Sequence, residues 1–173
     1  LELFSNAAVQ TVRDESSNKV EVVLAPLPQI VIGIRAKGRN VDAEETKFFA
    51  EIANLYLPSP GVVDGVHRLT IRPSSGKVDQ LTLTVPVGFA VGEVTGSPVG
   101  NWRFDPTSRQ LSVDLEPAQS RAFTINIETQ SGLDALPAEV KLSSMTVAND
   151  AGETNMLGLA FGQEAQPGKI TVD

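Results

Sequence analysis

The chain has one histidine, His67, and no cysteine, so imidazole chemistry has a single candidate and thiolate chemistry has none. His67 shares parity with Leu69 and Ile71, which in a strand places it on the apolar face, beside the Asp64–Gly65 turn. A nucleophilic triad needs a serine presented on a sharp turn, and no Gly-x-Ser-x-Gly elbow occurs. A zinc site would have to complete its shell around one imidazole with carboxylates alone. The expected role of His67 is a hydrogen-bonded, partly buried residue at a strand start. No catalytic residue, metal or cofactor is expected.

The carboxylates group along the chain rather than across a cleft. Asp42, Glu44 and Glu45 are neighbours and cannot flank a glycosidic bond, while Asp114 and Glu116 share the polar face of one strand. Asn149, Asp150, Glu153 and Asn155 bring four oxygen-bearing side chains into one loop, a calcium-like density of donors. Their spacing fits no EF-hand, however, and Asn-Asp-x-Gly is also what a plain hairpin tip needs. No glycine-rich phosphate cradle is present. Arg35, Lys37 and Arg39 would put three positive charges on one strand face, the expected dress of a solvated edge.

Aromatic rings are the remaining chemistry, because a ring face can stack on a sugar. Aromatics make up only 5% of the chain, and Phe89, Phe104 and Phe123 hold core-like parities. Trp102 shares parity with Phe104 and is expected in the core. Tyr56, beside Pro58, is the candidate for exposure. A carbohydrate-binding site built on Trp102 and Tyr56 is thus the alternative reading.

The elements that must position these residues are strands. Period-two alternation recurs at Val20–Leu24, Ile30–Ile34, Leu69–Ile71, Leu81–Val85, Leu111–Leu115, Phe123–Ile127 and Leu157–Phe161. Each has one wet face, the antiparallel pattern. Turn chemistry lies between them: Pro58-Ser59-Pro60-Gly61, Val63-Asp64-Gly65, Ser74-Ser75-Gly76, Asp105-Pro106-Thr107-Ser108 and Asn149-Asp150-Ala151-Gly152. One segment is ambiguous. Asp42 with Glu45 three residues on makes a capping box, and Phe48, Phe49, Ile52, Ala53 and Tyr56 follow at helical spacing. The competing reading is a long strand over 47–57 that hairpins into 66–73. The fold expected is an all-β antiparallel sandwich, one domain over 1–173, with the helix over 43–56 as the variant.

The totals agree with such a domain. With 173 residues the chain can bury a real core without disulfides. Its 14 Lys+Arg against 21 Asp+Glu, net charge −7, argue against nucleic acid. No apolar run is long enough to span a bilayer as a helix. A start at Leu1 and a strand-like Lys169–Val172 imply a domain cut from a longer protein.

The run Leu83-Thr84-Val85-Pro86-Val87-Gly88-Phe89-Ala90-Val91, followed by Val94-Thr95-Gly96, Trp102-Arg103-Phe104-Asp105 and Leu111–Leu115, resembles β-sandwich modules of large, mostly uncharacterised, membrane-anchored envelope proteins of Gram-negative bacteria. The resemblance covers roughly 47–130 and concerns turn and core residues. It implies an extracytoplasmic domain, on the periplasmic side, touching the membrane only through its parent's anchor. Protein partners or other domains of the parent are expected, in a non-catalytic interaction or spacer role, with a glycan as the alternative ligand.

Overall fold

A computed structural model describes residues 2–14, 19–35, 44–135 and 137–171. The chain divides into two compact units, Leu1–Asn40 and Val41–Asp173.

The first unit holds β1 (Glu2–Ser5), β2 (Ala8–Asp14), β3 (Lys19–Leu24) and β4 (Ile32–Arg35). β1 pairs with β4 and β2 with β3, both antiparallel. The Asn6 side chain joins the connections by accepting the Val31 amide at 2.8 Å. Alternation over Val20–Leu24 forms its strand, whereas that over Ile30–Ile34 starts only at Ile32. Ala7 is buried here, while Val9, Val12, Val23, Ile32 and Ile34 are exposed. Of the expected basic stripe, Arg35 ends β4, and Lys37 and Arg39 lie outside the described residues.

The second unit is the sandwich. Its strands are β5 (Lys47–Ser59), β6 (Val62–Ser75), β7 (Val78–Thr84), β8 (Ala90–Thr95), β9 (Val99–Asp105), β10 (Gln110–Gln119), β11 (Phe123–Gly132), β12 (Thr146–Val147) and β13 (Gly152–Leu159). One sheet has the order β12-β7-β10-β9 and the other β13-β5-β6-β11-β8. Inward residues of both sheets make one core, including Ile52, Leu69, Ile71, Leu83, Leu111, Val113, Ile125 and Ile127. Each such side chain, fully buried, contributes about 1.5–3 kcal/mol against the entropy of ordering the strands.

Residues 47–59 form a strand, so the long-strand reading holds and the helix over 43–56 does not. Phe48, Ala50, Ile52, Asn54 and Tyr56 point inward by alternation, and antiparallel pairing with β6 runs the length of the strand. That pairing outweighs the local capping signal. Glu44 and Glu45 instead serve the β6–β7 turn: the Glu44 carboxylate accepts the Gly76 amide at 3.3 Å, and the Glu45 carbonyl accepts the Ser75 hydroxyl at 2.6 Å. Asp42 lies outside the described residues.

Two turn expectations are corrected. The chain reverses only at Pro60-Gly61, where Gly61 takes φ +83°, the combination a type II turn requires. The strand then runs straight through Val63-Asp64-Gly65. Asn149–Gly152 is no hairpin tip either. It carries the chain from β12, which pairs β7, to β13, which pairs β5 in the opposite sheet. Moreover β13 runs parallel to β5, the one parallel ladder among the described residues. Alternation cannot announce this, because it reports which face a side chain occupies and not the direction of the neighbour.

Candidate functional site

His67 sits in the middle of β6 with no exposed surface, deeper than a strand start would place it. Its Nδ1 lies 2.8 Å from Asn54 Oδ1 and its Nε2 2.8 Å from Thr129 Oγ1. The tautomer follows from the neighbours. Asn54 donates its Nδ2 to Asn155 Oδ1 and to the Met156 carbonyl, each at 3.1 Å, so Oδ1 is its acceptor end. That oxygen also accepts the Met145 amide at 3.1 Å. His67 therefore donates from Nδ1, and Nε2 accepts the Thr129 hydroxyl.

Tyr56 stands edge-on to His67, ring centroids 5.5 Å apart, and also touches Phe89 at 5.2 Å. Its hydroxyl donates to the Ser143 carbonyl at 2.6 Å. Gly65 explains the tight assembly: a Cβ there would overlap Thr129 Oγ1 and come within 2.9 Å of His67 Nε2. A strand glycine at a close approach fits this position. Among the described residues no buried side-chain nitrogen or oxygen lacks a partner.

Burial sets the electrostatics. It pushes the His67 imidazolium pKa down to about 4 and the Tyr56 phenol up to about 12, because removing water penalises the charged form of each. The histidine is thus neutral at ordinary pH and closed off from solvent. The cluster ties β5, β6, β11, β13 and the 133–145 segment together, and its polar capacity is consumed in doing so.

The other candidates fall as follows. Trp102 faces Val113 across the β9–β10 ladder and packs, half-buried, against the core, so its core parity holds. Tyr56 is fully buried, contrary to the expected exposure, because its position in β5 is an inward one. The sugar platform of Trp102 with Tyr56 is therefore not assembled: one ring has no free face and the other turns inward. Glu153 accepts the Val147 amide at 2.6 Å and the Asn155 side-chain amide, so two of the four calcium-like donors are committed to the corner itself. Among the described residues no three His, Asp or Glu gather where a metal could be held. Asp114 is exposed on the outer face of β10 and accepts Gln80 at 2.8 Å; Glu116 is exposed beyond it.

Sequence reasoning missed Arg109. Its backbone takes φ +62° after the Asp105–Ser108 turn, and its guanidinium donates to the carbonyls of Pro86 and Phe89 while lying 5.0 Å from the Phe104 ring centroid. One side chain thereby fixes the Val-Pro-Val-Gly-Phe turn. Within the preceding turn, Asp105 accepts the Ser108 hydroxyl at 2.7 Å and the Thr107 amide at 2.9 Å, contacts that lower its carboxyl pKa.

The surface feature without a structural assignment is the outer face of the five-stranded sheet. Phe49, Leu55, Val66 and Met156 are exposed there at 50%, 40%, 39% and 55%. Leu55 is opposite Val66, and Met156 is beside Ala53. Glu51, between Phe49 and Leu55 on β5, pairs at 3.0 Å with Arg72, which lies opposite Phe49 on β6, and a shallow depression there is lined by Phe49, Thr70, Arg72 and Thr154.

No family model matches the chain. No curated protein matches it. Among solved structures, the M1 zinc metallopeptidase of Deinococcus radiodurans is 14% identical over 54% of this chain and 22% of its own, with a TM-score of 0.35. The chain therefore spans about a fifth of that protein. A non-cellulosomal cohesin from Archaeoglobus fulgidus is 13% identical over 66% of this chain and 91% of its own, TM-score 0.37. The sandwich assignment rests on this chain's own strand order and register.

Proposed function

We propose that the chain is a non-catalytic interaction or spacer module of a larger bacterial envelope protein, working on the extracytoplasmic side and recognising protein. The observation that supports this reading is the outer face of the five-stranded sheet. Its Phe49, Leu55, Val66 and Met156 are exposed on neighbouring strands, interspersed with Glu51, which lies between Phe49 and Leu55 on β5, and with Arg68, which lies opposite Ala53 on β6. Exposed apolar side chains on adjacent strands, with charged groups among them, are surface that a protein partner can cover. The alternative uses of the fold lack such support: His67 is closed and committed, and Tyr56 is inaccessible. The extracytoplasmic setting is taken from the resemblance over 47–130.

The test is quantitative capture from a bacterial envelope extract, comparing the chain with its Leu55→Glu and Val66→Glu variants. Both positions point outward, so each variant keeps its core. A specific protein partner should be retained by the wild type and lost at least tenfold in both variants. Equal retention by all three, or no retention by any, refutes the patch as a recognition surface.

A further inference from the structure

The edges of the two sheets are not equally protected. A strand at a sheet edge offers unpaired backbone groups to any extended chain, and proteins blunt such edges with charge, brevity or irregularity. β12 has only two residues, β9 carries Arg103 and Asp105, and β8 carries Glu93 beside a register break. β13 has neither the brevity nor the register break, and a charge only at its start. It ends its sheet, paired on one side to β5. From Thr154 to its end at Leu159 it reads Thr-Asn-Met-Leu-Gly-Leu, with no charge and no proline. Met156 and Leu157 on it are 55% and 44% exposed. The single carboxylate at its start, Glu153, is held by the Val147 amide.

We propose that β13 pairs antiparallel with β13 of a second copy, joining the two five-stranded sheets into one continuous sheet about a two-fold axis. The strand's own sequence selects a second copy as the occupant. In a continuous sheet, directly opposed residues must lie on the same face. The two-fold axis then passes through a residue, and centred on Met156 it sets Met156 against Met156, Asn155 against Leu157, Thr154 against Gly158 and Glu153 against Leu159. No like charges meet in that register, so self-pairing meets no electrostatic penalty. Met156 lies on the outer face beside Ala53. The pairing would therefore put the exposed apolar side chains of both copies, Met156 and Leu55 among them, on one shared sheet face. A two-fold interface of this kind is the commonest form of closed assembly.

This association needs no other partner, so it can fail or succeed independently of the function proposed above. The test is sedimentation of the purified chain over a concentration series, with Met156→Lys and, as a control, Val87→Lys at a position 83% exposed in the 86–89 turn. The wild type and Val87→Lys should dimerise, and Met156→Lys should dimerise at least tenfold more weakly. Cross-linking tests the register. Opposed Cα atoms in an antiparallel ladder lie about 4.5–5.5 Å apart, within the span of a disulfide. The chain has no cysteine, so oxidised Met156→Cys should give one covalent dimer and Val87→Cys none. A wild type that stays monomeric throughout the series, with no Met156→Cys dimer, overturns the proposal and leaves the edge to a strand from a different protein.

Discussion

Lowering the pH should destabilise the sandwich through one residue. His67 titrates at about 4 in the folded protein, against 6.5 for an unburied histidine. Between those values the unfolded chain binds a proton that the folded chain refuses. The contribution is therefore fully present above about pH 6.5 and is lost as pH falls toward 4. From about pH 7.5 to pH 5 the loss is about 2 kcal/mol, tending to about 3 kcal/mol near pH 4 and below. Carboxylates add their own slope in acid, so the assay is a difference. Urea unfolding of the wild type and of His67→Gln is followed at about pH 7.5 and pH 5. The variant leaves Thr129 or Asn54 without a full complement of bonds and should be less stable at neutral pH by about 1–3 kcal/mol. The gap should narrow by about 2 kcal/mol at pH 5, because only the wild type has a histidine to protonate. Parallel stability–pH curves would refute the reasoning, since they would mean that His67 carries the same proton in both states.

Three further outcomes follow from the packing. Gly65→Ala pushes a methyl group into Thr129 and His67 and should cost about 1–3 kcal/mol or more, read as a lower urea midpoint. Arg109→Ala removes the donor shared by the Pro86 and Phe89 carbonyls and leaves a non-glycine residue at φ +62°. It should lower stability by about 2 kcal/mol, and Arg109→Gly, which relieves the backbone, should recover part of that loss. Trp102, half-buried against the core, should emit at intermediate wavelength, be quenched only partly by iodide, and remain unchanged on adding soluble oligosaccharides; a sugar-dependent shift would revive the ring-stacking alternative.

What could be read in the sequence was what alternation encodes. Leu111, Val113 and Leu115, or Ile125 and Ile127, declare an inward face within a few residues, and the structure buries all five. The parity of His67 declared the same. Its partners did not, because Asn54 and Thr129 are 13 and 62 residues away and enter through strand pairing. Tyr56 has inward parity in β5, but its neighbour Pro58 suggests an exposed loop and the helical spacing of 43–56 obscures the strand that carries it. Asn149–Gly152 has the composition of a hairpin tip, and the same residues serve a corner between sheets equally well. Arg109 gave no signal, since its role depends on carbonyls freed by a turn some 20 residues earlier.

The parallel pairing of β5 with β13 determines how the sandwich would bear a pull along the chain. β5 is the unit's first strand and β13 its last, and they run side by side in the same direction over eight paired positions from Phe49–Gly152 to Tyr56–Leu159. Tension between residues 47 and 159 draws the strands in opposite senses along their shared length. The bonds are then loaded together in shear, instead of opening one after another as at the end of a hairpin. The Asn54 side chain, bonded to Asn155 and to the Met156 carbonyl, adds a cross-tie at the middle of the loaded ladder. A module mounted between two neighbours would thus meet stretching force first at a ladder loaded in shear, and its extension would be abrupt rather than gradual.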